Sequence, residues 1–567
     1  MGTLEQIKQR LEAVYSKNDA DVIFAGIQEL CRKYGPLIPP QPRGWSEKDT
    51  LLITYADSIR GPIPPLQTLH HFLRKHIGDL LSFVHLLPFY PFTSDDGFSV
   101  VDFRALREDL GTWNDIKAFA QDYRLVFDAV INHVSASSAY VKKYCDGDPA
   151  FADFVIALNP STDTSSVLRT RNLPLLHDFH TRNGIRWLWT TFSRDQVDLN
   201  YANPRVLLEI LDILLFYAQQ GCAMLRLDAI PYLWKELGTS CAHLPQTHEL
   251  IKLIRDMLDL IAPHVLLLTE TNVPHQENVL SFGDHGDEAQ MIYNFPLAPL
   301  IVWSLFKGDA SVLSMWAKGL GAISSNATYL NITATHDGIG MRPTEGILSE
   351  GQRAELVQLS RDRGGDVTGK RNADGSISPY ELNLSYFDAI NDPRSCEPQE
   401  TQVARFVLSQ AITMALMGIP GFYIHSLVGS RNDSEGVKRT GRARSINRNQ
   451  MELAALETEL AKPGSLRSQV FTKIAQLLRL RGTQSVFHPD AGQEILDLGS
   501  AVFAVRRCNG QTGAAILALH DVSGCSQRLL IPANGAVFRD LISGEQFLSG
   551  LVNLAPYQVC WLVEEAP

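Results

Sequence analysis

Three carboxylic acids, Asp228, Glu270 and Asp337, each follow an apolar run in the middle of the chain. Cleavage of a glycosidic bond with retained configuration needs a carboxylate nucleophile and a second carboxyl group, about 5–5.5 Å away, as acid and base. Arg226 precedes Asp228 by two residues, so both side chains share one face of an extended strand. A guanidinium there would keep Asp228 ionised and aim it. We therefore predict that Asp228, Glu270 and Asp337 are the catalytic residues.

Polar side chains also follow most of the other apolar runs. Six of the eight runs end in a carboxylate, a histidine or an arginine, and strand interiors cannot bury that many unpaired charges. Any one of these residues could form a salt bridge under a loop, but the whole set predicts convergence on a polar cavity. The additional residues predicted there are Asp95, His133, His336 and Arg444.

The apolar runs themselves predict the fold that positions these residues. They are continuous, as in parallel strands buried on both sides, and helical patterns separate several of them. This alternation predicts a (β/α)8 TIM barrel with inserted subdomains, whose active site lies at the carboxyl ends of the strands. The eight runs are residues 51–57, 83–92, 125–134, 222–232, 265–272, 291–295, 329–337 and 419–427.

The rest of the chain divides around this barrel. Residues 1–45 are predicted as a helical extension, with Thr3 and Gln6 as a capping box, followed by a proline-rich linker. Residues 46–485 form the predicted barrel, with insertions at about 135–200 after strand three and 341–391 after strand seven. Short strands separated by turns in residues 486–567 predict a C-terminal all-β domain resembling a β-sandwich.

Composition excludes several classes of protein. A chain of 567 residues with 45% hydrophobic and 20% charged residues has the makeup of a globular protein, and its net charge of −11 disfavours nucleic-acid binding. The eight cysteines form no CxxC pair, and no histidine–aspartate cluster suggests a catalytic metal. No apolar run approaches the ~18 residues of a membrane span, and the first residues lack a signal-peptide pattern. We expect a cytoplasmic monomer or homodimer.

Four ordered motifs resemble the conserved regions of the α-amylase superfamily, glycoside hydrolase family 13. They are Asp128-Ala-Val-Ile-Asn132-His133, Arg226-Leu-Asp228-Ala, Glu270 on the next strand, and His336-Asp337. The resemblance runs from about residue 51 to the end of the chain. It implies a retaining enzyme acting on α-glucosides.

Further segments resemble the sucrose phosphorylase subfamily, whose members split α-glucosides with inorganic phosphate and release α-glucose 1-phosphate. These segments are residues 53–57, 85–91, 96–98, 235–241, 335–340 and 445–448. The chain has Ala229-Ile-Pro231-Tyr232 where that subfamily resembles Ala-Val-Gly-Tyr, and Tyr380-Glu381 where sucrose enzymes carry Tyr-Gln. Together with the helical extension, these differences look more like the glucosylglycerate phosphorylase branch.

The resemblance implies roles residue by residue. Asp228 would form a β-glucosyl-enzyme, Glu270 would act as acid and base, and Asp337 would steady the distorted sugar. Phosphate is then a co-substrate, and no cofactor is implied. The glucose-binding set would be Asp95, Phe98, His133, Arg226, His336 and Arg444, and the phosphate and acceptor set would be Arg171, Tyr232, Tyr380 and Glu381.

The implied reaction is phosphorolysis of 2-O-α-glucosylglycerate to α-D-glucose 1-phosphate and glycerate by double displacement. Three alternatives stay open: a phosphorylase for glucosylglycerol, sucrose or sucrose 6'-phosphate, a retaining α-glucosidase or transglucosidase, and a non-catalytic sugar-binding protein. The carboxylate of glycerate needs a cation, for which Arg171, Lys370 and Arg371 are candidates.

Four assignments also have a structural alternative. Asp96 could face the cavity instead of Asp95, and Phe98 could be an ordinary core residue. Arg171 could belong to a solvated basic loop, and Tyr380 with Glu381 could form an ordinary turn.

Overall fold

A closed barrel of eight parallel strands forms the centre of the molecule. The computed structural model describes residues 3–38, 40–41, 43–169, 171, 173–284, 286–321, 326–372, 375–531 and 537–565. Each strand pairs with the next in chain order, and Leu51 lies opposite Gly421 where the last strand closes on the first. The strands are β1 (Leu51–Thr54), β2 (Phe83–Leu86), β3 (Arg124–Ala129), β4 (Cys222–Leu227), β5 (Leu266–Thr269), β6 (Met291–Tyr293), β7 (Thr328–Ile332) and β8 (Ile419–Tyr423).

This arrangement confirms the predicted barrel, although the strands are shorter than the apolar runs. Asp228 and Glu270 each follow the last residue of their strand, Leu227 and Thr269. The polar residues therefore leave the hydrogen-bonded ladder and line its carboxyl edge, where parallel barrels carry their active sites.

Helices cover the outside of the barrel. The helix Pro204–Gln219 shows how the sequence specifies them: the Asn203 side chain accepts a hydrogen bond from the Arg205 amide, and proline occupies the first turn. The helices that follow or flank the strands are Pro65–His76, Trp113–Asp122, Pro204–Gln219, Pro245–Ile261, Leu297–Lys307, Ser311–Lys318, Gln399–Ala415, Ile424–Leu427, Ser434–Thr440, Leu453–Leu460 and Leu466–Gly482.

Two further helices, Leu4–Val14 and Lys17–Tyr34, precede the barrel and pack on it. The capping box between Thr3 and Gln6 is confirmed at the start of the first. Arg10 forms ion pairs of 2.5 Å with Asp256 and 3.2 Å with Glu249, both on the barrel helix Pro245–Ile261. Because Ile7 and Ile23 belong to the same apolar core as the barrel, the extension is part of one packed body.

Two excursions rise from the carboxyl edge of the barrel. In the first, His133–Ser135 pairs antiparallel with Gln196–Asp198. Between them lie the helix Ala139–Cys145 and the strands Ala157–Leu158, Leu176–Thr181 and Gly184–Trp189. The second excursion contains the strands Ile339–Gly340, Asp366–Arg371 and Ile377–Asn383 and the helices Glu350–Asp362 and Tyr386–Ile390. Both excursions begin and end at the edge that carries the predicted site.

The C-terminal region is antiparallel β-structure. A six-stranded sheet contains Gly492–Leu496, Val502–Cys508, Ala515–Asp521, Val537–Asp540, Gln546–Phe547 and Val559–Glu565, and a second sheet pairs Gln527–Leu530 with Leu551–Leu554. This antiparallel structure confirms the predicted C-terminal all-β domain.

Among the helices in the described ranges, none combines the length and the apolar character that a membrane span requires.

Candidate active site

One cavity at the carboxyl end of the barrel collects most of the predicted site residues. Arg226 and Tyr232 lie outside its wall, and the structure adds Phe192, Gln196, Ala229 and Asn272, which the sequence does not single out as site residues. The predicted residues that line it are Asp95, Phe98, His133, Arg171, Asp228, Glu270, His336, Asp337, Tyr380, Glu381 and Arg444.

Asp228 is held by a buried chain of charged groups beneath the cavity. Arg226 donates hydrogen bonds through the same Nη1 atom to Asp128 Oδ1 and, at 3.0 Å, to Asp228 Oδ1. The other oxygen of Asp128 lies 2.8 Å from His85 Nε2 on the neighbouring strand. The guanidinium is therefore fixed on both sides, which orients one oxygen of Asp228 and leaves the other for a reacting atom.

Glu270 lies next to this carboxylate through an unusual backbone turn. Ala229 has left-handed dihedral angles, φ 49° and ψ 33°, which are strained for a residue with a Cβ. This turn aims the Ala229 amide at Glu270 Oε2, 3.3 Å away. This hydrogen bond connects Glu270, which follows β5, to Ala229, the residue directly after Asp228.

Burial raises the pKa of both Asp228 and Glu270 to about 7. The charges of Asp128 and Asp337 add to the rise at Asp228, and those of Asp228 and Asp337 add to the rise at Glu270. Because the charge of Asp228 acts on Glu270, the two groups titrate together. Asp228 receives a charged hydrogen bond from Arg226, whereas Glu270 receives only a longer amide bond. These contacts stabilise the ionised form of Asp228 more than that of Glu270.

Asp337 has the opposite electrostatic environment. Burial would raise its pKa, but the neighbouring Arg444, His336 and Arg448 hold that pKa well below the ordinary value. Arg444 Nη1 lies 2.6 Å from Asp337 Oδ1, and Arg448 Nη2 lies 3.4 Å from the same oxygen. Asp337 is therefore a permanent carboxylate, suited to accepting hydrogen bonds from sugar hydroxyls.

Phe98 forms an aromatic platform in the cavity. Its ring stacks on His336 with centroids 4.9 Å apart and an interplanar angle of 5°. His133 Nε2 donates a hydrogen bond of 2.8 Å to the Phe98 carbonyl, and Gln196 donates another of 3.1 Å. Burial lowers the pKa of His336 to about 3, so its ring is neutral at pH 7. Phe98 belongs to the apolar core and also lines the cavity, so its binding role stays a prediction.

Asp95, and not Asp96, faces the cavity. Gln196 Nε2 donates a hydrogen bond of 3.2 Å to Asp95 Oδ2. Burial would raise the pKa of Asp95, but Arg444 and Arg171 outweigh it and the net pKa is lowered. Asp96 turns away and pairs with Arg442 at 2.6 Å and with Arg448. The adjacent acids therefore separate into one cavity residue and one residue of an ion-pair network.

The second excursion supplies Tyr380 and Glu381 from a strand, so the interpretation as an ordinary turn is wrong. Glu381 is buried, and its two oxygens accept hydrogen bonds of 3.1 and 2.5 Å from Arg444. Its carboxylate is thus committed to the arginine that holds Asp337. Each oxygen keeps a further lone pair and Glu381 lines the cavity, so a direct role toward the acceptor stays a prediction.

Arg171 comes from the first excursion and reaches the cavity wall. Its guanidinium carbon lies 5.7 Å from the centre of the Tyr380 ring. Among the described residues no carboxylate forms an ion pair with this guanidinium, although its charge contributes to the lowered pKa of Asp95. The position in the wall argues against a solvated basic loop and leaves a cation available for an anionic ligand.

Tyr232 lies behind the cavity wall rather than in it. It is 8% exposed, and its ring meets that of Phe192 edge to face at 5.8 Å. Phe192 and Gln196 were missed because no motif marks them: they enter the site only through the pairing of Gln196–Asp198 with His133–Ser135. Lys370 lies outside the cavity wall, and the side chain of Arg371 falls outside the described residues.

Among the described residues, no group of three or more histidine, cysteine, aspartate or glutamate side chains is placed to hold a metal ion. The site as it stands offers carboxyl groups, guanidinium groups and one aromatic platform. This set can perform nucleophilic substitution at a sugar carbon with acid–base assistance.

Comparisons with known proteins agree with this chemistry. Residues 76–329 match the family model described as "Alpha amylase, catalytic domain". The chain is 45% identical over 563 residues to a glucosylglycerate phosphorylase of Allomeiothermus silvanus, covering 99% of this chain and 98% of that one. It is 43% identical to a glucosylglycerate phosphorylase of Escherichia coli, covering 91% and 92%.

The fold is also found among solved structures. A sucrose 6F-phosphate phosphorylase from Thermoanaerobacter thermosaccharolyticum superposes with a TM-score of 0.74 at 24% identity, covering 89% of this chain and 98% of that chain.

Proposed function

The chain belongs to the family of the glucosylglycerate phosphorylases, within the α-amylase superfamily, and we propose that it catalyses the phosphorolysis of 2-O-α-glucosylglycerate. The products are α-D-glucose 1-phosphate and glycerate. One observation carries this proposal: two carboxyl groups, Asp228 and Glu270, share a cavity with Arg171, a cation that forms no ion pair with a described carboxylate.

In the first half of the proposed reaction, the free oxygen of Asp228 attacks the anomeric carbon of glucose. The bond to the glycerate oxygen breaks, and Glu270 gives that oxygen its proton. The result is a β-glucosyl ester of Asp228 and free glycerate. The hydrogen bond from Arg226 supports this step because it keeps the nucleophile ionised in a buried site.

In the second half, a phosphate oxygen attacks the same carbon, Glu270 accepts its proton, and Asp228 leaves as a carboxylate. Two inversions give α-D-glucose 1-phosphate with retained configuration. A phosphate anion entering a cavity lined by carboxylates is repelled unless a cation lies nearby. Arg171 meets that need, which favours phosphate over water as the natural acceptor.

The remaining wall residues are proposed to bind the glucosyl group. Asp337 and Asp95 accept hydrogen bonds from sugar hydroxyls, and Phe98 covers one face of the ring. Arg226 lies beneath the cavity and positions Asp228. Tyr232 lies behind the wall and supports it through its contact with Phe192. No cofactor enters these steps, since the carboxyl groups perform the acid, base and nucleophile roles themselves.

We also propose a cytoplasmic location and a monomer or homodimer that acts on small molecules alone. The eight cysteines, all within the described residues, are free thiols, which is the state that a reducing compartment maintains. The molar mass of the purified protein, measured by light scattering, would show whether the particle contains one or two chains.

The test is a phosphate-dependence assay on the purified protein. Glucosylglycerate is incubated with and without phosphate, and glucose 1-phosphate and free glucose are both measured. The proposal predicts glucose 1-phosphate in proportion to added phosphate and little free glucose. Free glucose at a rate that ignores phosphate would instead identify a glucosidase. Parallel reactions with glucosylglycerol, sucrose and sucrose 6'-phosphate should be at least ~10-fold slower.

A further inference from the structure

Arg342 is a buried arginine without a counter-charge, next to the acceptor side of the proposed site. It follows Met341, whose amide donates a hydrogen bond of 2.9 Å to the Tyr380 carbonyl. The residue is 7% exposed, and its Nε is buried with no acceptor. Across the described ranges, no hydrogen bond or ion pair joins the Arg342 guanidinium to another side chain.

The backbone around Arg342 ties it to the wall of the cavity. Gly340 pairs with Glu381 in the small sheet of the second excursion. Gly340 also packs so closely on Asn272 that a Cβ would come within 2.9 Å of the amide oxygen of that side chain. Asn272 and Glu381 both line the cavity, so the Arg342 backbone lies close behind its wall, although the side chains of Arg342 and Lys370 are not part of that wall.

The charge of Arg342 acts on two groups near the leaving-group side. Burial raises the pKa of Tyr232 to about 12, and Arg342 is the strongest charge opposing that rise. Burial, followed by Arg342, lowers the pKa of Lys370. Tyr232 also senses Glu270, the proposed proton donor to the leaving oxygen. Arg342 therefore adds positive potential where glycerate would depart.

The acids in this neighbourhood do not neutralise Arg342. Glu345 lies 3.9 Å from Lys370, and Glu277 acts electrostatically on both Lys370 and Tyr232. Neither approaches Arg342 within 4.0 Å. A buried guanidinium without a partner is costly, and a planar carboxylate is the ligand that it binds best, through two parallel hydrogen bonds.

We propose that Arg342, with Lys370 beside it, binds the carboxylate of the hydroxy acid. This acid is the leaving group in phosphorolysis and the acceptor in the reverse reaction. This inference rests on the proposed function and adds the residue that would select a small hydroxy acid over a neutral polyol. The two anions of the reaction then meet separate cations, with phosphate at Arg171 and the carboxylate at Arg342.

The test uses synthesis from glucose 1-phosphate, with glycerate and glycerol as acceptors that differ only in the carboxylate. The ratio of kcat/KM for glycerate to that for glycerol is measured in the parent protein and in Arg342→Gln. A lost charged hydrogen bond predicts a drop in this ratio of about 10- to 100-fold, with glycerol use nearly unchanged. Arg342→Lys keeps the positive charge but loses the two parallel hydrogen bonds of a guanidinium. Its ratio should therefore lie between those of the parent and of Arg342→Gln.

Arg353→Gln is the matched control, because Arg353 also adds positive potential at Lys370 but lies on the helix Glu350–Asp362. Its ratio should stay within about 3-fold of the parent. An unchanged ratio in Arg342→Gln, or an equal fall with glycerate and glycerol, overturns the inference. If Arg342→Gln does not fold, an unchanged ratio in Arg342→Lys overturns it.

Arsenolysis of glucose 1-phosphate separates this failure from failure of the proposed function. It requires the glucosyl-enzyme but no acid acceptor, so it should persist in Arg342→Gln and shows that the variant is folded. A parent protein inactive in arsenolysis and in synthesis with every acceptor would contradict the proposed function itself.

Discussion

The two ends of the active site differ in how their charges are compensated. At the sugar end, Asp228 is paired with Arg226, and Asp337 with Arg444. At the acceptor end, Arg171 and Arg342 have no carboxylate partner among the described residues. A neutral glucosyl group is bound by preorganised polar side chains whose charges are already paired. Phosphate and glycerate bring negative charges of their own, which can pair with the free arginines.

The difference also has a structural origin. The sugar end is built on the edge of the barrel, by Asp228 and Glu270 directly after β4 and β5 and by Asp337 beyond β7. The acceptor end is built by the two excursions, which supply Arg171, Tyr380 and Arg342. The comparison teaches that the chemistry belongs to the barrel edge and that acceptor choice belongs to the excursions. Mutations at the two ends should therefore have separable effects.

The largest effect is expected at the nucleophile. Asp228→Asn removes the group that forms the covalent intermediate, so kcat/KM should fall by about 10⁴-fold or more with every acceptor. Glucose 1-phosphate release measured over hours detects the residual rate. Asp79→Asn, which removes an exposed carboxylate just before β2, should retain the parental rate. Substantial activity in Asp228→Asn would remove Asp228 from its proposed role.

Glu270→Gln should lower kcat/KM for glucosylglycerate by about 10³-fold, because the leaving oxygen loses its proton donor. α-Glucosyl fluoride, whose leaving group needs no proton, should form the glucosyl-enzyme at a nearly parental rate. Equal losses with both substrates would show that Glu270 is not the acid.

The pH dependence follows from the same pair. The pKa of Glu270 is raised to about 7, and the residue must be protonated for the first step, so kcat/KM should decline as pH rises through that region. Asp228 must be ionised, so kcat/KM should also decline on the acid side, giving a bell-shaped profile of the coupled pair. With α-glucosyl fluoride, Glu270→Gln should lose the alkaline limb. A retained alkaline limb would assign it to another group.

Arg171→Gln should act on phosphate alone. Loss of the cation predicts a rise in KM for phosphate of about 10- to 100-fold and a larger share of free glucose, because water then competes for the intermediate. The KM for glucosylglycerate should change little. Arg182→Gln, an exposed arginine of the same excursion, is the control for net charge. Equal changes in KM for phosphate in both variants would mean that the net charge of the excursion, and not Arg171 in particular, attracts phosphate.

The smallest effect is expected where the sugar end is buttressed. Glu381→Gln weakens the bidentate bond to Arg444, which still pairs with Asp337. We expect a loss of about 1–3 kcal/mol in the free energy of unfolding, seen in a urea titration, and a rise of about 3- to 10-fold in KM for the glucoside. A rise confined to KM for phosphate would move Glu381 to the acceptor end.

The same division sets how much the sequence could predict. The barrel and the residues that follow its strands could be predicted, because continuous apolar runs ending in Asp228 or Glu270 leave few alternatives. The choice between Asp95 and Asp96 could not, since it depends on the left-handed dihedral angles that both residues adopt.

The residues that the two excursions supply were less predictable for a physical reason. Phe192, Gln196 and Arg342 reach the site through antiparallel pairing within the excursions, and no local pattern marks that pairing. Arg342 lies in a short helical turn after Gly340, where it reads as an ordinary loop arginine. Its absence of a partner is visible only once every neighbouring carboxylate has been placed.

Proton NMR of the reacting mixture tests the central claim most directly. Glucosylglycerate, phosphate and the enzyme are mixed, and the anomeric signal of the first glucose 1-phosphate is recorded before mutarotation of any free glucose can interfere. Double displacement through Asp228 and Glu270 predicts the α-anomer, formed only when phosphate is present. The β-anomer as first product, or glucose formed at the same rate without phosphate, would contradict the account.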